Sequence, residues 1–408
     1  MNTSVYIARR YLFSRKKMNA INIISGISML GVFIGSAALV IILSVFNGFE
    51  HVILGLYSNF TPELKIQAKL GKTFDPNTAY FAQLHHDPQV FSYTEVLQDQ
   101  ALMRYGQKQF IGVLKGVSNE FLNNKKLDST IQDGSFTLQE KGQNYAVIGG
   151  IVAGTLSVNL QDQQVPLEIY APNRKLMDSP NPMDEFIVRP INASGVFQIG
   201  QDFDNIAVVP LAFAREVLAQ PVNVSSVEIN YKPGTNINTV QEAIQEHIGN
   251  NFDVLNRIQQ NTELYKTLNY ERWFIYMILV FVLIIAIFNI IGSLTMLVID
   301  KRKDIAILSS LGAGKGLIQR IFFFEGMMIS AFGCVAGMVL GLIFCLLQQR
   351  YGWIQMGGHM EIINAYPIEI RVGDFGLVLL TVGTIAVIAA AISARLSVKN
   401  LDDMKQDL

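Results

Sequence analysis

Two short motifs in this 408-residue chain place glycine, lysine or histidine at spacings that could serve chemistry. Residues 311–316 read LGAGKG, which is similar to a phosphate-binding loop. Such a loop needs a glycine at position 309, where Ser309 stands, and a hydroxyl at position 316, where Gly316 stands. Without that hydroxyl Mg²⁺ lacks its usual ligand, so we do not expect nucleotide binding there.

The second motif is the histidine pair His85 and His86. Adjacent residues project in different directions from a helix, and no cysteine or further histidine stands at metal-ligand spacing. A run of glycines, Gly149, Gly150 and Gly154, also lacks the order of a dinucleotide-binding fingerprint. We therefore predict no metal site, no bound cofactor and no enzymatic activity for this chain alone.

The composition points away from a soluble protein. Half of the residues are hydrophobic (50%), while 32 basic residues nearly balance 33 acidic ones. A soluble surface needs a larger polar share, so a membrane protein is the first expectation. The two cysteines, Cys334 and Cys345, lie in one apolar stretch and indicate no disulfide.

Four stretches are apolar for long enough to cross a bilayer, which takes about 20 helical residues. They are residues 21–46, 273–299, 321–347 and 375–394. The first exceeds the apolar core of a signal peptide, which has about 7 to 15 residues, so we interpret it as a retained anchor.

Basic residues set the orientation. They cluster before the first span and between the second and third, where we place the cytoplasm by the positive-inside rule. These residues are Arg9, Arg10, Arg15, Lys16, Lys17, Lys301, Arg302, Lys303, Lys315 and Arg320. Residues 1–20, 300–320 and 395–408 are then cytoplasmic, and residues 47–272 and 348–374 lie outside.

The spans carry almost no ionisable residue, Glu325 being the exception. Charges within a bilayer usually mark an ion or solute pathway, so the bundle is predicted to be a mechanical element. Glycines recur at four-residue spacing, which lets helix backbones approach closely. They are Gly31, Gly35, Gly333, Gly337 and Gly341. Packing within one chain and packing between chains both fit this pattern.

The external block mixes strand and helix patterns. Strands are predicted at 63–68, 95–105, 109–117, 165–170, 186–189, 206–209 and 226–231, and helices at 76–86, 146–156, 210–218 and 236–248. We expect a membrane-proximal subdomain formed by about 47–117 and 225–272, with residues 118–224 inserted as a second subdomain.

A proline-rich segment interrupts this block. Residues 171–182 read APNRKLMDSPNP. Proline removes amide donors and fixes φ, so the segment cannot be the interior of a paired strand. An ordinary long hairpin turn is one interpretation, and a stiff protrusion that docks a partner is the other. The docking residues would be Pro172, Arg174, Lys175, Leu176, Met177, Pro180 and Pro182.

The loop between the second and third spans predicts a short amphipathic helix. Ile305, Leu308 and Leu311 are expected on one face, with Arg302 and Asp304 at its start and Gly312 at its end. Such a helix can insert into a groove of a soluble partner, or it can lie on lipid headgroups.

Residues 301–313, KRKDIAILSSLGA, followed by Glu325 and Gly326, resemble the coupling-helix motif of FtsX/MacB-type permeases, the type VII ABC transporters. Within that family the runs ARRYLFSR (8–15) and YPIEI (366–370) and the segment 148–158 are most similar to the transmembrane subunits of the lipoprotein-releasing (Lol) complex. The resemblance implies four transmembrane helices and a large α+β extracytoplasmic domain of the MacB-like, two-subdomain kind.

The resemblance also implies a function. Permease subunits of this family pair, separate ATPase subunits bind ATP and Mg²⁺ beneath them, and closure is transmitted to the outer domains. Lipoproteins leave the outer leaflet of the bacterial inner membrane and pass to a periplasmic carrier. One subunit type grips the carrier with a hook-like hairpin, and residues 172–182 lie at the matching position. A homodimer and a heterodimer both fit.

We expect acyl chains to enter along the outer halves of the first two spans, at Phe46, Phe274, Met277 and Phe281. Two alternatives share the fold: an efflux or toxin-export permease, and a regulator of cell-wall hydrolases. The first usually carries its ATPase on the same chain, and the second has a smaller outer domain. A receptor would need a cytoplasmic output domain, and few residues follow the fourth span.

Overall fold

A computed structural model describes residues 3–12, 20–162, 164–173, 185–200, 202–356 and 365–404. Side chains are described over the same ranges, except at 3, 11–12, 20–25, 286–287, 289–290, 293, 300, 302–303 and 396–404. The chain forms two compact units, Met1–Val52 with Lys266–Leu408, and Ile53–Tyr265. The boundaries between them fall inside two long helices.

The described helices, in chain order, are α1 (Thr3–Leu12), α2 (Ala20–Phe60), α3 (Ala79–His85), α4 (Gly150–Leu156), α5 (Leu211–Val217), α6 (Ile237–Ile248), α7 (Arg257–Gln260), α8 (Thr262–Asp300), α9 (Arg302–Ser310), α10 (Lys315–Tyr351) and α11 (Val372–Met404). The strands are β1 (Leu64–Ala68), β2 (Val90–Tyr105), β3 (Lys108–Val117), β4 (Ile131–Gly134), β5 (Gln139–Glu140), β6 (Gln143–Gly149), β7 (Leu167–Pro172), β8 (Phe186–Phe197), β9 (Ile206–Pro210), β10 (Ser226–Tyr231) and β11 (Phe252–Asn256).

Four helices in the described part of the chain are long and apolar enough to cross a membrane. The segments are Gly26–Phe60, Thr262–Ile285, Lys315–Tyr351 and Val372–Arg395. A helix pairs its backbone N–H and C=O groups within itself, and hydrocarbon offers these groups no hydrogen-bond partner. The four-span prediction is confirmed, although α2 and α8 extend beyond the predicted apolar runs. In particular, α2 continues to Phe60, well past the predicted end at residue 46.

The helices of the first unit pack around one apolar core. Its buried members include Leu39, Leu283, Phe322 and Val378, one from each of the four long helices. Ile305 of α9 belongs to the same core. The short helix α9 is therefore built into the bundle and is not an independent appendage.

The second unit is built on one continuous sheet. Its strand order among the described residues is β11-β1-β10-β2-β3-β9-β6-β8-β4, with β5 on β6 and β7 bridging β2 and β8. The first five strands come from the segments assigned to the membrane-proximal subdomain, and the next four come from the inserted segment. The two halves join where β3 and β9 pair in parallel and where β2 pairs with β7.

The helix predicted at 146–156 needs correction. Residues 143–149 form strand β6, and only Gly150–Leu156 is helical. Ala146, Val147 and Ile148 are fully buried in a strand that pairs with both β8 and β9. A short apolar run fits a central strand as well as a buried helix, so its periodicity alone could not distinguish the two.

A buried ion pair lies within this sheet. Nζ of Lys115 on β3 donates to both carboxylate oxygens of Glu228 on β10, at 2.9 and 3.0 Å. Both side chains are less than a tenth exposed, at 7% and 6%. Each buried charge thus has a close partner, as burial requires.

Candidate functional site

Helix α9 is defined by polar residues and glycine at its ends. It follows Lys301, whose Nζ lies 3.4 Å from Oδ2 of Asp304 in the first turn. At the other end Gly312 takes a φ of +93°, which ordinary side chains disfavour, and the amide of Ala313 donates to the carbonyl of Leu308 at 2.9 Å. Gly314 is then the N-cap of α10. The motif 311–316 thus comprises the turn between two helices, residues 311–314, and the first two residues of α10.

The expected common face of α9 needs correction. Ile305 is only 2% exposed and packs in the bundle core, whereas Leu311 is 79% exposed. Ile307, one turn before Leu311, is 59% exposed. The outward apolar surface is therefore Ile307 with Leu311, and Ile305 anchors the helix to the bundle. Sequence reasoning missed Ile307 because periodicity cannot tell which of two apolar stripes faces inward.

Leu308 takes an intermediate position. It lines a groove of about 270 Å³ between α1 and α9 and is half-buried. The groove residues are Tyr6, Ile7, Arg10, Asp304, Ile307 and Leu308. Of the other predicted coupling residues, Gly312 is exposed and the side chain of Arg302 lies outside the described residues. The apolar groove walls and the outward pair form one continuous surface at this end of the bundle, because Ile307 belongs to both.

A second concave site lies at the extracytoplasmic end of the bundle. This cavity of about 580 Å³ lies between α2, α8 and the start of α11. Its lining residues are Leu43, Asn269, Arg272, Trp273, Tyr276, Arg371, Gly373, Asp374 and Leu377. Apolar walls with a few convergent polar groups are typical of ligand sites.

Charged residues at this cavity are paired. Asp374, 5% exposed, accepts a hydrogen bond from Nη2 of Arg272 at 3.1 Å and another from Nδ2 of Asn47. Arg371 donates to Glu50 at 2.9 Å and to Glu369 at 3.0 Å.

These contacts and burial have opposite effects on the pKa of Arg371. Burial by itself would lower the pKa of Arg371, but its bonds to the carboxylates of Glu369 and Glu50 raise that pKa above its usual value. The network therefore joins α2, α8 and α11 through charged groups.

The predicted cargo-facing residues divide into two groups. Phe274, Met277 and Phe281 form an exposed stripe along α8, at 64%, 62% and 63% exposure. Phe46 on α2 is half-buried. Sequence reasoning missed the polar cavity residues beside this stripe, although Arg272 and Asp374 both stand at the edge of apolar runs.

The glycine stripe packs within the chain. A Cβ added at Gly333 would meet the carbonyl oxygen of Met29 at 2.8 Å, and one at Gly341 would meet that of Ala37 at 3.1 Å. At Gly337 it would overlap the carbonyl of Phe33. These contacts place α10 directly against α2, which favours the intrachain interpretation.

The two glycines of α2 differ. Gly35 faces Leu283 of α8, whose Cδ2 lies 3.0 Å from an added Cβ. Gly31 is half-buried.

The proline-rich segment is described only at its ends. Pro172 closes β7, paired with Phe186 of β8, so the segment is the connection of a hairpin. The remaining predicted docking residues lie outside the described residues. They are Arg174, Lys175, Leu176, Met177, Pro180 and Pro182. Over the described ranges, no three histidine, cysteine or carboxylate side chains cluster as a metal site would require.

Comparison with known proteins gives two family matches. Residues 25–247 match the MacB-like periplasmic core domain, and residues 276–400 match the FtsX-like permease C-terminal region. The chain belongs to this FtsX/MacB-type permease family. It is a multi-pass membrane protein, and the residues between α2 and α8 form its large extracytoplasmic α+β domain.

Individual relatives extend the match along the chain. The lipoprotein-releasing system transmembrane protein LolE of Haemophilus influenzae is 26% identical over 98% of both chains. The corresponding LolC of Xylella fastidiosa strain Temecula1 is 25% identical over 83% of this chain and 81% of its own. Among solved structures, the periplasmic region of MacB from Actinobacillus actinomycetemcomitans aligns with a TM-score of 0.35 at 14% identity, over 49% of this chain and 92% of its own.

Proposed function

We propose that this chain is a permease subunit of an ABC transporter that extracts lipoproteins from the outer leaflet of the bacterial inner membrane and passes them to a periplasmic carrier. The observation that supports this most strongly is the match over 98% of both chains to a relative named for lipoprotein release. A shared domain alone would leave the cargo open, since MacB-like and FtsX-like regions serve several systems.

The chain is the mechanical part of that machine. A separate pair of ATPase subunits binds ATP and Mg²⁺ and hydrolyses the ATP. These subunits dock on the outward pair Ile307 and Leu311 and on the adjoining groove. Isolated exposed apolar residues are ordinary, but two on one short helix beside an apolar groove give a docking surface. A second permease subunit, identical or related, completes the assembly.

The cargo side is assigned to the extracytoplasmic end of the bundle. Acyl chains enter along the exposed stripe of Phe274, Met277 and Phe281, which is apolar enough to contact lipid tails. The cavity beside it offers polar groups at the depth of the lipid headgroups, where Trp273 and Tyr276 are typical residues. Cargo would therefore meet an apolar track and a charged cavity together.

The proline-rich segment is the proposed carrier contact. Deleting residues 174–184 should abolish capture of the carrier without lowering ATP hydrolysis. Replacing Pro180 and Pro182 by glycine should weaken capture, because a more flexible loop loses more entropy on binding. Recovery of the carrier at wild-type levels with the deletion variant would make the segment an ordinary turn.

The function itself is tested by purification with native partners. The chain, isolated from its own membranes in mild detergent, should bring down an ABC ATPase subunit. Added ATP should then release lipoprotein from membranes to a soluble carrier fraction. An ATPase whose turnover responds to a small efflux substrate, with no release of lipoprotein, would support the efflux alternative instead.

A further inference from the structure

Helix α10 carries an exposed apolar stripe on the side away from its glycines. The stripe consists of Val335, Val339, Ile343 and Leu346, which are 47% to 53% exposed. Each of the first three stands two residues after a glycine that packs against α2, which places it about 200° around the helix. The stripe therefore points away from α2.

Arg350 continues this stripe at the end of the helix, four residues after Leu346. Its guanidinium carbon lies 5.9 Å from the centroid of the Tyr351 ring. That ring stacks on Trp353, with centroids 5.7 Å apart and 16° between the ring planes. Tyr351 and Trp353 are 59% and 62% exposed. The apolar stripe thus ends in a charged aromatic cluster of Arg350, Tyr351 and Trp353.

Hydrogen bonds fix the backbone that carries the aromatic cluster. Gly352 ends α10 with a φ of +58°, and its amide donates to the carbonyl of Gln348 at 2.8 Å. The buried side chain of Gln348 also donates to the carbonyl of Ile354 and accepts the amide of Ile354, both at 2.9 Å. Trp353 is therefore held between two anchored residues, and little entropy is lost when such a side chain binds.

The length of α10 sets the depth of the cluster. The helical stretch from Arg320 to Arg350 measures about 45 Å at a rise of about 1.5 Å per residue. A bilayer with its headgroups is about 40 to 45 Å thick. A tilt of about 20°, which is usual for such helices, shortens the stretch only to about 42 Å. With Arg320 among the headgroups of one leaflet, Arg350 lies among those of the other.

The chemistry of the cluster fits that layer. Tryptophan and tyrosine combine an apolar ring with a polar group, and a guanidinium binds phosphate. Among the residues that the structure describes, no carboxylate pairs with Arg350. A second subunit is a less suitable cover for the stripe, because helices that associate in membranes meet through small residues and this stripe is made of large aliphatic ones.

We propose that Arg350, Tyr351 and Trp353 form a phospholipid-binding anchor. The two rings lie at the level of the ester groups of the outer leaflet, and Arg350 binds the phosphate of a headgroup. The anchor fixes the depth of this end of α10 in the bilayer. This inference goes beyond the proposed function and requires only that α10 crosses the membrane, so it holds whatever the cargo is.

Fluorescence quenching tests the depth, because the chain has only two tryptophans and Trp273→Phe leaves Trp353 as the sole reporter. In vesicles of phosphatidylethanolamine and phosphatidylglycerol, lipids brominated beside the ester groups should quench Trp353 at least about twofold more than lipids brominated at the chain ends. Aqueous acrylamide should quench it weakly. If Trp273→Phe does not fold, the difference between the wild-type chain and Trp353→Phe gives the same measurement. Strong quenching by acrylamide alone, or protection from every quencher, would overturn the proposal.

The phosphate contact is tested by titrating the detergent-solubilised chain with phosphatidylglycerol and following the emission of Trp353. Arg350→Gln should weaken binding about threefold or more, whereas the matched control Arg350→Lys keeps the charge and should retain most of it. Inorganic phosphate alone should leave the emission unchanged, because it has no acyl chains to contact the stripe. Equal binding by Arg350→Gln and the wild-type chain, or a response to inorganic phosphate alone, would contradict a phospholipid anchor.

Discussion

The two ends of the helix bundle use opposite chemistry. At the extracytoplasmic end, Arg272 with Asp374 and Arg371 with Glu50 connect three helices around a cavity through paired charges. At the cytoplasmic end, apolar side chains face outward. Paired charges hold one specific arrangement, whereas exposed apolar groups remain available to a partner. The difference indicates a bundle that is clamped at its extracytoplasmic end and, under the proposed function, open to ATPase docking at the other end.

The clamp is the contact of Asp374 with Asn47 and Arg272. Substitution in the clamp should lower stability more than substitution at the docking end. Asp374→Ala leaves Arg272 and Asn47 without their shared acceptor, and we expect a loss of about 2 to 3 kcal/mol of stability, since one buried partner of a charge pair is removed. Asp374→Asn keeps an acceptor oxygen and should lose less than half as much. Unfolding followed in detergent measures both. Equal stability of Asp374→Ala and the wild-type chain would remove the clamp from this account.

Substitutions at the docking end should weaken binding of the ATPase and leave the stability of the fold unchanged. Ile307→Asp puts a charge on the outward surface of α9, and we expect the ATPase to bind about tenfold or more weakly, because the charge must be desolvated on docking. Leu308→Asp, in the groove wall, should chiefly lower the stimulation of ATP hydrolysis by cargo. Ile307→Leu serves as the conservative control. Normal cosedimentation of the ATPase with Ile307→Asp would move the docking surface elsewhere.

Between the two ends, disturbing the close packing of α2 and α10 should lower stability by a smaller but measurable amount. Gly337→Ala forces a methyl group into the Phe33 backbone, and we expect it to cost about 1 to 2 kcal/mol. Gly383→Ala on α11 is the matched control, because no atom lies within 4 Å of its added Cβ. The control should be neutral or slightly stabilising. If both variants melt at the wild-type temperature, the glycine stripe has no packing role within the chain.

The smallest effect on folding should come from the stripe on α8. Phe274→Ser and Phe281→Ser change exposed side chains, so stability should move by less than about 0.5 kcal/mol. Release of lipoprotein should nevertheless fall about threefold, because the apolar track is interrupted. Photo-crosslinkers at the same positions should capture lipoprotein. Capture of phospholipid alone, with lipoprotein bound elsewhere, would shift the cargo path off α8.

Much of the architecture follows from hydropathy and charge. The four spans and most strands are predicted correctly because long apolar runs and alternating β-branched residues are local signals. The extension of α2 beyond residue 46 is not predicted, since residues 47–60 mix polar and apolar types. The sequence predicts helix over strand β6 because β6 is apolar on both faces, as a central strand must be.

The candidate sites are harder to predict from sequence than the fold, because they depend on which distant residues pack together. The α9 motif itself is local and easily found, but its outward face depends on which side the bundle covers. The clamp joins Asn47, Arg272 and Asp374, which are far apart in the sequence, so no spacing could reveal it. Glu325 stands out in sequence as a charge within a span, yet its burial inside the bundle emerges only from the packing.

The most direct test of the proposed machine is reconstitution into lipid nanodiscs with its ATPase. The purified complex would be loaded with a fluorescent lipoprotein and mixed with ATP and a soluble periplasmic carrier. We predict ATP-dependent transfer of label to the carrier, abolished when Ile307→Asp and Leu311→Asp are combined, while the lipoprotein stays bound to the bundle. Transfer that proceeds at the wild-type rate in that double variant, or label that never leaves the wild-type complex, would contradict the account.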